Sequence, residues 1–94
     1  MTRESEIEEG MNGLTESMIY KLNTPKNMRK TSWRGKSISN LLAMAKREIE
    51  ELEESLIDQD NANSLHECAD VANFMMMIHD SILSGIMGEL NAEI

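Results

Sequence analysis

The chain has 94 residues, 9 of them Lys or Arg and 17 Asp or Glu, giving a formal charge of −8; 40% are hydrophobic, nine are Met, and Cys, Trp, Tyr and Phe occur once each. A chain this short buries only ~60–65% of its unfolded surface, so one domain completed by a partner subunit is expected, and the acidic balance argues against a nucleic-acid polymer, whose phosphates need a cationic face. Cys68 alone cannot build a disulfide framework, no apolar run reaches the ~18–20 residues of a membrane span, and the opening Met1-Thr2-Arg3-Glu4-Ser5-Glu6 lacks a signal peptide's apolar stretch, which together predict a cytoplasmic protein away from the membrane.

No segment alternates with period two, and the pattern predicts an all-α antiparallel bundle of three helices in a single domain spanning residues 1–94. The first helix is expected over residues 6–22, where Ile7, Met11, Leu14, Met18 and Leu22 recur every three or four positions, weakened early by Gly10 and Gly13. Asn23-Thr24-Pro25 ends it, and residues 23–36 form a basic loop holding the single Trp. Ser37 or Ser39 caps a second helix over residues 37–58, with Ile38, Leu42, Ala45, Ile49, Leu52 and Leu56 spaced 4-3-4-3-4. A polar turn follows, and Ser64-Leu65-His66-Glu67 has the capping-box spacing of a third helix over residues 64–84, with Gly85 and Gly88 fraying a tail over 85–94.

Charge is partitioned along these elements. Between Ser17 and Arg47 there are eight basic residues and no acid; between Glu48 and Ile94 there are twelve acids and no base. Such blocks are commonly solvated faces, and the placement of particular acids decides the matter here. On the third helix Leu65, Cys68, Ala69, Ala72, Met75, Met76, His79 and Leu83 fall on one side and are expected to pack, with Cys68 an inert core thiol and His79 a packed core residue. Opposite them lie Glu67, Asp70, Phe74 and Met77, so two carboxylates share a stripe with apolar residues and point at a covered surface. The run Met75-Met76-Met77 suits adaptable packing at an interface.

A short turn makes the second and third helices antiparallel neighbours, which lets Glu48 and Glu51 face Glu67 and Asp70. Ionised carboxylates brought together need protons, cationic partners or a metal, and oxygen-only ligands select a hard cation, Mg²⁺ or Mn²⁺. His66-Glu67-Cys68-Ala69-Asp70 is no zinc motif, because Asp stands where the second His belongs.

Arg47-Glu48-Ile49-Glu50-Glu51-Leu52 and Glu67-Cys68-Ala69-Asp70-Val71-Ala72-Asn73-Phe74, separated by a polar turn, resemble the paired motifs of the MazG-like all-α nucleoside triphosphate pyrophosphohydrolases, whose small single-domain members occur in bacteria and bacteriophages. The resemblance covers residues 33–80. It implies that Glu48, Glu51, Glu67 and Asp70 bind Mg²⁺, that a nucleotide is cleaved between its α- and β-phosphates to a monophosphate and pyrophosphate, and that the chain works as a homodimer or homotetramer. Arg47 departs from the many members that have Glu there. Polyphosphate hydrolysis also needs cations, for which Lys26, Lys30, Arg34 and Lys36 are candidates; Trp33 either stacks on a base or packs under the loop, and Asn73 is within reach of the acids to bind a water, sugar or phosphate. The alternative is a non-catalytic module of the same architecture that binds a nucleotide or a protein.

Overall fold

A computed structural model describes residues 1–28, 30 and 32–92, and helices are the only regular structure among them. Helix α1 (Arg3–Leu22) begins three residues earlier than hydrophobic spacing predicts, because Thr2 Oγ1 accepts the Ser5 N–H at 3.1 Å and caps a turn with no apolar residue to reveal it. Gly10 and Gly13 weaken this helix without ending it. Pro25 does more than stop it: as the first residue of a one-turn helix, α2 (Pro25–Met28), its missing N–H is not needed there. A 3₁₀ turn, Trp33–Gly35, follows, so the expected loop contains two short helical turns. Arg29 of the basic segment lies outside the described residues.

Helix α3 (Ile38–Ile57) starts where expected, on Ser37, whose hydroxyl accepts the Asn40 N–H at 3.1 Å. Its end is a Schellman motif, in which the Asp60 N–H bonds the Ser55 carbonyl at 3.1 Å and the Gln59 N–H bonds that of Leu56 at 3.2 Å. Gln59 takes the left-handed conformation this motif requires, with φ of 56°, a position that favours glycine. Gln59→Gly is therefore expected to raise stability by about 0.5–1 kcal/mol, seen as a higher urea midpoint with unchanged slope.

Helix α4 (Asn61–Ala92) corrects two expectations. It starts before Ser64, because Asp60 Oδ1 accepts the Asn63 N–H at 3.1 Å and supplies the cap; Ser64 is buried inside the helix instead, its hydroxyl 2.8 Å from that of Ser55. It also continues through Gly85 and Gly88, since neither glycine takes the left-handed conformation that would end it. The frayed tail is thus helical to Ala92, and residues 93 and 94 lie outside the described residues.

α1 and α3 each pack along α4 and, among the described residues, not on one another. α4 is therefore the middle of the fold. Leu41, Ala45 and Ala69 are wholly buried, and Ser55, Ser64 and Asn73 are the buried polar residues. Apart from Leu41, the wholly buried side chains are small, and many of the larger apolar residues stay exposed. Ile38, Leu42, Ile49 and Leu56 of the expected α3 stripe are exposed, as are Leu65, Met75 and Leu83 on α4. Cys68 and His79, expected in the core, are also exposed, because the side of α4 turned to its neighbours is the one carrying Ala69, Asn73 and the acids. No helix among the described residues is long and apolar enough to cross a membrane.

Candidate functional site

The Ser55–Ser64 contact sets the register of α3 against α4. Glu48 lies two turns before Ser55, and Glu67 and Asp70 lie one and two turns after Ser64, so the antiparallel pair brings them level. One carboxylate oxygen from each of Glu48, Glu67 and Asp70 lies within 4.8 Å of the others, and all three residues are half-buried. Glu51, the fourth acid of the sequence pattern, is exposed one turn along and stays outside this triad. Oε2 of Glu48 and Oε2 of Glu67 are buried with no hydrogen-bond partner. Burial first, then hydrogen bonding with the Glu51 carboxyl and its charge, and then the Asp70 charge, push the Glu48 carboxyl up to about 7; Glu67 is raised too, burial again being the largest cause. Lys21, near the end of α1, places its Nζ 3.3 Å from Asp70 Oδ2.

Beside the triad is a cavity of about 260 Å³, walled by Leu22, Asn27, Leu41, Met44, Phe74 and Met77, with Lys30, Ser32, Trp33 and Lys36 from the loop, and with Asp70 shared with the triad. Two of the four basic candidates, Lys30 and Lys36, line it. Lys26 is exposed on α2, away from the cavity wall, and Arg34 is engaged elsewhere. The Arg34 guanidinium grips Asp80 through two 3.1 Å bonds, and Trp33 Nε1 donates to the same carboxylate at 2.9 Å. These contacts hold the Asp80 carboxyl below its ordinary range, Arg34 being the larger cause. Trp33 is thus both packed by its N–H and available on the cavity wall. Asn73 is 4% exposed; its Nδ2 donates to the Met18 carbonyl at 3.2 Å, which fixes the amide orientation and leaves Oδ1 a buried acceptor without a partner.

Sequence reasoning missed Lys21 and Asp80. Asp80 carries a signal, because it is the next position, three residues on, of the stripe formed by Glu67, Asp70, Phe74 and Met77. Lys21 carries none, since nothing in α1 alone says which of its residues meets an acid on α4.

Buried carboxylate oxygens without donors cost several kcal/mol when ionised, and a hard divalent cation satisfies that donor set. Three protein oxygens leave further positions on such a cation for water or a phosphate group. No family model matches the chain, and no curated protein or solved structure matches it significantly.

Proposed function

We propose that the protein is a Mg²⁺-dependent nucleotide pyrophosphohydrolase of the MazG-like kind, cleaving a nucleoside triphosphate or related nucleotide to a monophosphate and pyrophosphate. The observation that carries this reading is the triad of Glu48, Glu67 and Asp70, with two buried unpartnered oxygens, opening onto a cavity that offers two lysines and an aromatic face. In this reading the triad holds the cation, Lys30 and Lys36 offset phosphate charge, and Trp33 meets the base while Asp80 fixes its ring. Bound Mg²⁺ supplies a Lewis acid for the phosphoanhydride oxygens and lowers the pKa of water. The test is incubation with each (deoxy)nucleoside triphosphate and Mg²⁺, with nucleotides separated by anion exchange. Monophosphate and pyrophosphate in equal amounts are expected, and nucleoside diphosphate with orthophosphate, or no turnover of any nucleotide, contradicts the reading.

The raised Glu48 carboxyl gives a pH signature. Between its ordinary value of 4.5 and about 7 the folded metal-free protein holds a proton that the unfolded chain has lost. Stability therefore falls as pH rises through that window, by on the order of 1–2 kcal/mol once solvent screening is allowed for. Cation binding expels this proton, so Mg²⁺ affinity is expected to climb from pH 5 to pH 7 and then level off, as calorimetry in two buffers of different ionisation enthalpy would record.

We also propose a homo-oligomer. The accessible surface is 7351 Å², against ~5,500 Å² for a folded monomer of this mass, and the radius of gyration is 15.8 Å, against about 12 Å. The excess is close to what a large obligate interface takes from each subunit, and Ile38, Leu42, Ile49 and Leu56 offer an exposed apolar stripe along α3 for it. Light scattering is expected to give a mass of two or four times 10.7 kDa, reduced in Ile49→Glu; a monomeric wild type overturns this.

A further inference from the structure

Among the described residues Lys21 is the one cation in contact with the triad, and its position is built. The carbonyl of Lys21 accepts the Thr24 hydroxyl at 2.9 Å and the Asn27 amide at 2.6 Å, which lock the end of α1 where the side chain departs toward α4. Its ammonium reaches Asp70, with about a quarter of the side chain exposed on the Lys21 side and a fifth on the Asp70 side, so the pair is neither a surface ion pair nor sealed. Asp70 is also the residue shared between triad and cavity. Lys21 is not itself part of the cavity wall, but its ammonium sits on the acid that is, with Leu22 next to it in α1 and Asn27 on its carbonyl both lining the cavity.

We infer that Lys21 serves the site in two states, as the counter-ion of the carboxylates when no metal is bound and as a ligand of the polyphosphate when metal and substrate are present. The inference rests on the metal reading of the triad and adds to it a residue and a role. A fixed positive charge beside three carboxylates offsets part of their mutual repulsion, and for the same reason it opposes an incoming Mg²⁺. Once Mg²⁺ neutralises the acids, the ammonium has less to bind on the protein and a phosphate group arriving at the cation lies next to it. A long, flexible cationic side chain suits this exchange, since it moves between partners while keeping its charge.

The two roles predict effects of opposite sign from one substitution. In Lys21→Gln, calorimetric titration with Mg²⁺ alone should give a dissociation constant lowered about tenfold, the scale of one partly screened charge. Titration with inorganic tripolyphosphate in saturating Mg²⁺ should give a constant raised about tenfold. Lys21→Arg, which keeps the charge, should stay within about threefold of the wild type in both. A lysine that only holds α1 against α4 predicts both constants rising together, and that result, or no change in either, overturns the inference while leaving metal binding intact. Failure of the wild type to bind Mg²⁺ is a different outcome, which removes the metal reading and this inference with it. Should Lys21→Gln not fold, lysine side-chain NMR of the wild type serves instead: the Lys21 resonance should move on adding Mg²⁺ and move again on adding tripolyphosphate, and a resonance unmoved at both steps overturns the proposal.

Discussion

Glu67→Gln is expected to lower nucleotide turnover by about 10²–10³-fold while raising the melting temperature of the metal-free protein. The two effects have one origin. Glu67 presents a buried, unpartnered oxygen to Glu48 and Asp70, and burial already raises its carboxyl. An amide of the same shape removes one negative charge from three carboxylates that share a single lysine, Lys21 on Asp70, among the described residues, which relieves repulsion worth about 1 kcal/mol, or roughly 4–8 °C in a domain of this size. In the proposed enzyme the same change removes a charged oxygen from the cation, which accounts for the expected loss of turnover. Activity assays with scanning calorimetry in a chelator check both signs. A structural bundle without catalysis gains the stability and has no turnover to lose, so the pair of measurements separates the enzyme from a non-catalytic binding module.

The largest loss of stability is expected from Leu41→Ala, at about 2–5 kcal/mol. Leu41 is wholly buried and is the largest fully buried side chain among the described residues, where the wholly buried apolar set otherwise consists of Ala45 and Ala69. Its truncation removes apolar contact and joins a void to the cavity that Leu41 already lines, and neighbours that are α-helical cannot collapse into that space. Leu41→Met, which keeps the volume, should cost less than about 1.5 kcal/mol. Urea melts of the two variants against the wild type give the comparison, and equal losses in both would place the core elsewhere.

The helical class and the start of α3 were legible in the sequence because local signals determine them: Ser37 caps, and apolar spacing carries the helix on. Where another local signal competed, spacing misled. Asp60 outbid Ser64 as the cap of α4, and Gly85 carried no ending because its backbone stayed right-handed. The faces of α3 and α4 were harder. Period analysis finds the side with the most large apolar residues and treats it as the core, whereas here Leu41, Ala45, Ser55, Ser64 and Ala69 are the buried residues, and Ile38, Leu42, Ile49, Leu56, Leu65, Met75 and Leu83 remain exposed. The misplacement of Cys68 and His79 has the same cause.

The acids fared better for a physical reason. Glu67 and Asp70 continue into Phe74 and Met77 along one stripe, a combination that marks carboxylates turned toward other protein, and the antiparallel hairpin then supplies Glu48. Glu51, one turn along α3, lies outside the three converging oxygens yet close enough to raise both Glu48 and Glu67. Arg34 and Lys26 were indistinguishable from Lys30 and Lys36 by charge alone; the 3₁₀ turn that delivers Arg34 to Asp80 depends on a partner 46 residues away.

Whether Glu48, Glu67 and Asp70 hold a divalent cation decides the proposed function. Crystals grown with Mn²⁺ and measured for anomalous scattering test this. One strong peak between these three carboxylates is expected, lost in crystals of Glu67→Gln. A triad without a peak at saturating Mn²⁺, or one whose peak survives that substitution unchanged, contradicts it.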